Sequence, residues 1–591
     1  MSFLRNVYVG KGQTRKSHSI GSFVLICLGL LLLNWLGGFV FTKLDLTEDR
    51  RYTLAPTTKD LMKGLEDVVS IEVYLDGDLP APFRRLRDAT QELLEQFRAL
   101  SPNIEFRFVD PLEGNREQIQ QMQLYLKDRG FAPYVLTIPD KGKEKKQLVF
   151  PFALVTYRTQ KPFRITLLEN QALGQSDQES INNSINLLEF KFANAINKLL
   201  SRGRPLVLFT TGHGELDSMQ TAELRYELGE YYNVEFWNLD QSYSVNRIVA
   251  RPDSTGRGRL DTLKVDLLVV AKPLLSFSEK DLFKIDQYIM QGGRVLWLLD
   301  THNADMDSLD DNAQKTLLPL DLPMNNVVKN LLFRYGARVN PDVVTDAQSH
   351  ITIYPVVGRK GNKPQTAPRP WCYFPVAFAP NPVGAHPIVK RLDGVMMRFP
   401  SSIDTVGTKT PIKKTVLLAS SQLSRRQSMV RISLDDANAP LVLERFDKQH
   451  LPLAVLLEGR FSSPFEGRVP PAMDSVLRKL NTPFRAVSEP TKQIVVSDGD
   501  VGANFFDRRV RNLLKMGENP YTDLNDPQGS KGYVYGNRDF LMNCIDYLTD
   551  KRGIVAARNK DYKLRLLDKK AINDPATGAM WQGINIGLPL L

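Results

Sequence analysis

The sequence predicts an α/β protein with an N-terminal transmembrane helix, a β-α-β domain, and then a doubly wound parallel α/β domain carrying a β-rich insertion. Three observations carry this reading. One uncharged apolar run near the N-terminus is long enough to cross a bilayer, short β-branched runs alternate with amphipathic helical stretches, and a proline-rich aromatic segment interrupts that alternation after residue 350.

The apolar run spans Ile20 to Phe41 and reads IGSFVLICLGLLLLNWLGGFVF. It matches the roughly 20 residues an α-helix needs to cross a hydrocarbon core of about 30 Å, and a helix satisfies its backbone polar groups in lipid. Arg5, Lys11, Arg15 and Lys16 precede it with no acid among them, whereas Lys43, Asp45, Glu48, Asp49, Arg50 and Arg51 follow it. The positive-inside tendency therefore places residues 1–19 in the cytoplasm, the span at 20–42, and the bulk of the chain beyond the membrane, which in a bacterium is the periplasm. A cleaved signal peptide is the rival reading, but the run exceeds the usual apolar region and no A-x-A site follows it. Asn34, Gly37 and Gly38 permit polar contact and close helix approach within the membrane. Leu44, Leu46, Tyr52 and Leu54 stud the charged segment that follows, and make it a candidate membrane-facing or partner-facing stalk.

With 591 residues, 42% of them apolar, the chain can build several ordinary cores. Net charge is +11 and the isoelectric point is near 9.2, yet lysines and arginines alternate with acids, so no nucleic-acid stripe forms. Three cysteines make no disulfide framework, although Cys372 and Cys544 both lie beyond the anchor. Neither CxxC nor HExxH occurs and the six histidines are scattered, so neither a metal nor another cofactor is expected.

Residues 43–202 read as the first extracytoplasmic domain. Val68–Leu75 is a β-branched strand, Phe83–Leu100 a helix with Leu86, Leu93, Leu94 and Phe97 on one face, and Ile104–Val109 a second strand, parallel to the first if they share a sheet. Another helix at Gln118–Arg129 precedes β-rich residues from Tyr134 to Leu168, whose KGKEKK forms a hairpin tip. A long helix, Glu179–Leu200, carries an apolar stripe of Ile181, Ile185, Leu188, Phe192, Ile196 and Leu199. That stripe packs on the chain's own core or forms a seam with a second copy or a partner.

Residues 203–350 and 486–560 are expected to share one sheet. Strands at Leu206–Phe209, Val234–Trp237, Val265–Val270 and Arg294–Leu299 alternate with helices, Arg338–Thr345 extends the sheet, and Ile494–Val496 returns to it. Residues 351–485 form the β-rich insertion, and 561–591 end in an apolar stretch, Ile584–Leu591, that reads as the opening of a second span.

Gly212-His213-Gly214-Glu215 follows the first strand of this domain, at the edge where doubly wound sheets bind ligands. His213 could serve as a general base oriented by Glu215, or the glycines could simply allow a tight turn. Asp498 and Asp500, in SDGD after another strand, could hold a cation or mark a turn. Neither a P-loop nor a G-x-S-x-G elbow is present, so no catalytic residue is assigned.

FTKLDLTEDRRYTLAPTTKDLM after the span, SINNSINLLEFKFANAINKLL, LVLFTTGHGELD, QIVVSDGDVGAN and YGNRDFLMNCIDYL together resemble the signatures of the GldG family, gliding-motility-associated ABC transporter auxiliary proteins. The resemblance runs over nearly the whole chain. It implies a non-enzymatic, inner-membrane subunit that works with a GldF-like permease and, through it, a GldA-like ATPase. It also implies a central domain like the non-catalytic relatives of the class I glutamine amidotransferase fold, including the GIFT domain. A structural module of the gliding or secretion apparatus, and a hydrolase or amidotransferase-like enzyme using His213 and Glu215, are the alternatives.

Overall fold

The computed structural model describes Leu28, Gly29 and residues 53–587, except 141–142, 170–176, 202, 242–243, 253–257, 276, 305–313, 317–330, 362, 383, 429–430, 470, 472–474, 476, 479–481, 508–511, 522–531 and 560–574. Among the described residues no helix is long and apolar enough to cross a membrane. The expected span at 20–42 lies outside them apart from Leu28 and Gly29.

Residues 55–559 form one compact unit. It opens with helix α1 (Pro56–Lys63), strand β1 (Val69–Val73), helix α2 (Ala81–Leu100) and strand β2 (Ile104–Phe108), with β1 and β2 parallel. Helix α3 (Arg116–Asp128) starts at Asn115, whose side chain accepts from the Gln118 amide while Gln118 reaches back to the Asn115 amide. The KGKEKK stretch joins β3 (Tyr134–Asp140) to β4 (Lys143–Val149) in a hairpin of its own. Then β5 (Phe152–Tyr157) and β6 (Phe163–Thr166) add antiparallel strands, and the sheet runs β2-β1-β5-β6.

Helix α4 (Asp177–Leu200) packs on α1, α2, β5, β6 and the turn Ile554–Asn559. Ile181, Leu188, Phe192, Ile196 and Leu199 are all buried there. The stripe is therefore spent on the chain's own core, and the reading that used it as a seam with a second copy loses its surface.

A seven-stranded sheet follows. Its strands are β7 (Leu206–Thr211), β8 (Asn233–Asn238), β11 (Leu267–Ala271), β12 (Val295–Leu298), β16 (Ile412–Ala419), β18 (Pro452–Gly459) and β19 (Thr491–Val496), in spatial order β16-β18-β19-β12-β11-β7-β8. Between β8 and β11 a hairpin of β9 (Arg247–Pro252) and β10 (Gly258–Leu263) stands outside the sheet. The five strands from β19 to β8 are mutually parallel, while β18 and β16 are added antiparallel at the edge. In chain order the parallel strands run 2-1-3-4-5, so the direction of winding reverses between β7 and β11.

Alternate side chains of these strands serve opposite faces. Val207, Phe209, Val269, Leu296, Leu298 and Val496 pack with Leu224 and Leu228 of α5 (Ala222–Gly229) and with Phe540, Leu541, Ile545 and Leu548 of α7 (Asn537–Thr549). Leu208, Leu268, Val270, Val295, Trp297 and Val495 pack with Leu282, Ile285 and Ile289 of α6 (Glu279–Met290). The runs are apolar throughout because both faces are covered.

Two expectations are corrected. Arg338–Thr345 does not extend the large sheet: it is split into β13 (Ala337–Val339) and β14 (Val343–Asp346), which pair with β15 (Ile403–Thr405) and β17 (Ser424–Gln427). Nor does the β-rich stretch 351–485 stand apart as an insertion, since β16 and β18 come from it. Thr415–Ala419 and Ala454–Glu458 read as β segments in the sequence, but nothing local shows that they join the large sheet, β18 beside β19 and β16 at its edge.

Residues 1–54 and 560–591 form a second unit, in which helix α8 (Pro575–Gly587) exposes Met580, Trp581, Ile584 and Ile586.

Asp286 on α6 gives the fold a measurable pH dependence. Its carboxylate accepts from Tyr335 Oη at 2.6 Å, Ser463 Oγ at 2.7 Å and Gln287 Nε2 at 2.8 Å, yet burial pushes its pKa up from 3.8 to about 6. The folded state therefore holds a proton that the unfolded chain releases, and this contribution is present below pH 4 and lost as pH rises through 6. At 1.36 kcal/mol per pKa unit it amounts to roughly 2–3 kcal/mol. The stability of the protein relative to Asp286→Asn should fall by about that much between pH 4 and pH 7 in urea titrations; an unchanged difference rejects the assignment.

Candidate functional site

Two sequence-predicted motifs meet at the carboxyl ends of the parallel strands. After β7 the chain turns through Gly212 and Gly214, at φ of 110° and 75°. A side chain at Gly214 would also press on Leu274, with its Cβ 3.0 Å from that of Leu274. The His213 carbonyl accepts from the amides of Leu274 and Leu275, both at 2.7 Å, so the loop after β11 is laced to the turn after β7. These are the two strands between which the winding reverses.

His213 is only 3% exposed and its ring stacks on Phe277, with centroids 4.1 Å apart. Nδ1 faces Glu215 Oε1 at 3.5 Å and Nε2 faces Asp281 Oδ2 at 3.6 Å. The other Glu215 oxygen accepts the His213 amide at 2.6 Å. Burial opposes the imidazolium, but Glu215, Asp281 and Asp240 outweigh it and raise the His213 pKa. Burial likewise opposes the Glu215 carboxylate, and its bonds to His213 hold its pKa below the usual value. Asp281, at the start of α6, is held by Ser278 Oγ at 2.6 Å and Lys284 Nζ at 2.8 Å.

Lys272 begins the same loop as Leu274 and Leu275, in a left-handed conformation at φ 53°. Its ammonium lies 2.5 Å from Asp500 Oδ1 and 3.3 Å from Asp300 Oδ2. Burial disfavours this charge, yet the carboxylates of Asp500 and Asp300 raise the lysine pKa above its usual value. Asp300 is pushed up to about 6 by burial, with Lys272 opposing. Asp498 is fully buried and accepts the amides of Arg398 at 2.7 Å and Asp500 at 2.8 Å, and burial drives its pKa well above the carboxylate range. Gly499 is required by close approach, since a Cβ there would lie 2.6 Å from Lys272 Cβ. Thus Asp500 and Asp498 are both committed inside the chain, Asp500 to the Lys272 ammonium and Asp498 to two backbone amides.

Asn34, Gly37, Gly38, Leu44, Leu46 and Tyr52 lie outside the described residues, and Leu54 sits in the coil before α1. The sequence reading missed Asp240, Asp281, Lys272 and Asp300. Three of the clustered positions share a signal: VVAK, LLD and VVSD each put a charged residue at or just past the end of an apolar strand, the edge where ligands gather in such sheets.

Residues 204–544, more than half of the chain, match the family described as an ABC-type uncharacterized transport system, an auxiliary family. The chain belongs to this family. It is accordingly an auxiliary component of an ABC-type transport system, and both clusters just described lie within the span that defines the family. Residues 48–156 match a second model, domain of unknown function DUF7088. Among solved structures, a chain titled "mmIFT52 N-terminal domain" is similar over 58% of this chain and 97% of that one, at 13% identity and a TM-score of 0.27. No curated protein matches.

Removing one partner of a buried ion pair strands the other charges, at a cost of about 3–5 kcal/mol. Lys272→Met should destabilise the protein by that order at pH 7. The deficit should shrink near pH 5, where Asp300 can be neutralised by its own proton; chemical denaturation at the two pH values measures both effects, and a deficit independent of pH counts against the ion-pair account.

Proposed function

We propose that this auxiliary protein is a GldG-type subunit anchored in the cytoplasmic membrane through residues 20–42, with its α/β domains on the periplasmic side. There it binds partner proteins or cargo for a GldF-like permease and a GldA-like ATPase, without catalysing a reaction itself. The family match over residues 204–544 is the observation that carries this reading. The five signatures spread along the chain, and the charge asymmetry flanking the apolar run, support the finer assignment. The geometry at His213 favours holding over reacting. Each ring nitrogen faces a carboxylate, and no hydroxyl or thiol among the described residues hydrogen-bonds to the ring, as a nucleophile–base pair requires.

Purification of the full chain from native membranes in mild detergent should co-recover a polytopic permease and an ATPase. Recovery of neither overturns the proposal. Exchanging residues 20–42 for an unrelated apolar helix of equal length should weaken that recovery, because Asn34, Gly37 and Gly38 offer a small and polar helix face; undiminished recovery would reduce the segment to a tether.

A further inference from the structure

We infer that His213, Asp281 and Asp240 form a zinc site at the point where the winding of the large sheet reverses. One ligand atom from each of the three residues lies within 4.8 Å of the others. They come from the turn after β7, the first turn of α6 and the turn after β8, so three separate elements converge on one spot.

The histidine is prepared as a metal ligand. Metal-binding imidazoles commonly give their second nitrogen to a carboxylate, which fixes the tautomer and turns the other lone pair toward the ion. Here Glu215 occupies that place at Nδ1, stacking on Phe277 restrains the ring plane, and Nε2 points at Asp281. Nδ1 and Glu215 Oε1 are both buried and face each other at 3.5 Å, with no other hydrogen-bond partner for either, and left-handed backbone at Gly212 and Gly214 shapes the turn that carries the histidine.

The carboxylates are also placed for a cation. Asp281 Oδ2 receives Ser278 Oγ and its Oδ1 receives Lys284 Nζ, which leaves acceptor capacity on Oδ2 toward Nε2. Lys284 donates in addition to the Leu239 carbonyl at 2.7 Å, and so draws the turn that bears Asp240 up to α6. Glu215, Asp281 and Asp240 bring three carboxylates to the cluster, where Lys284 pairs with Asp281. Zinc bonds of about 2.0–2.1 Å require ligand atoms roughly 3.4 Å apart, so a gap of up to 4.8 Å must close by at most about 1.4 Å. The exposed Asp240 side chain can supply that movement. An imidazole with carboxylates suits zinc, and three protein ligands with one exposed to solvent leave a fourth position for water or for a donor from a bound partner.

The test uses the full chain in detergent, without a histidine tag, stripped with chelator, reloaded with zinc and dialysed. Elemental analysis should return one retained zinc per chain, and cobalt(II) substituted at the site should show the visible bands of a four-coordinate ion. Asp240→Asn changes a surface residue and leaves the core intact; it should weaken zinc binding by at least about tenfold, and Glu215→Gln should weaken it by about 10–100-fold while the three protein ligands themselves are unchanged. Zinc content equal in the wild type, Asp240→Asn and a correctly folded His213→Ala overturns the assignment, as does retention of magnesium or calcium in preference to zinc.

Discussion

A single buried ammonium holds the carboxyl edge of the large sheet together. Lys272 leaves β11, Asp300 follows β12 and Asp500 follows β19, so the ion pairs tie together the ends of three adjacent strands. Burying this charge is unfavourable on its own, and it is tolerated because two carboxylates share it at close range. The left-handed backbone at Lys272 and the bare Cα of Gly499 are the local adjustments that let the side chain reach its partners. Asp498 completes the arrangement without a cation of its own, by accepting two backbone amides.

That knot also sets the neighbouring turn. The loop that starts at Lys272 donates two amides to the His213 carbonyl, so anchoring the lysine fixes the position of the histidine turn. The result is an edge with two different halves. Around Lys272 the carboxylates are buried and engaged by the ammonium or by backbone amides, whereas at the His213 cluster one carboxylate, Asp240, faces solvent.

A second polar junction joins the two layers of the 55–559 unit. Asp546 of α7 accepts from Asn194 at 3.1 Å and Lys198 at 2.7 Å on α4, and from Tyr232 at 2.6 Å beside β8. Burial and the adjacent Asp546 charge keep the Tyr232 phenol protonated far above its usual range, so this hydroxyl acts as a fixed donor. The long helix is thus a brace between the smaller sheet, which its apolar stripe covers, and α7, which its polar edge grips.

The sequence alone determined the elements whose signal is local. The short apolar runs at Leu206–Phe209 and Arg294–Leu299, the three–four spacing along Glu179–Leu200 and the glycine turn at Gly212–Glu215 depend on near neighbours, and each lies within a residue or two of its place in the structure. The motif signatures likewise placed the chain among ABC transporter auxiliary proteins. Tertiary structure decided which strands share a sheet, because a β segment such as Thr415–Ala419 carries no local mark of the partner it will pair with. It also decided the chemistry of the site. His213, Asp240 and Asp281 lie on distant segments, as do Lys272, Asp300 and Asp500, and their charges interact only once parallel packing brings the strand ends side by side. The strength of those interactions depends on burial, a property of the folded chain that no spacing of residues encodes.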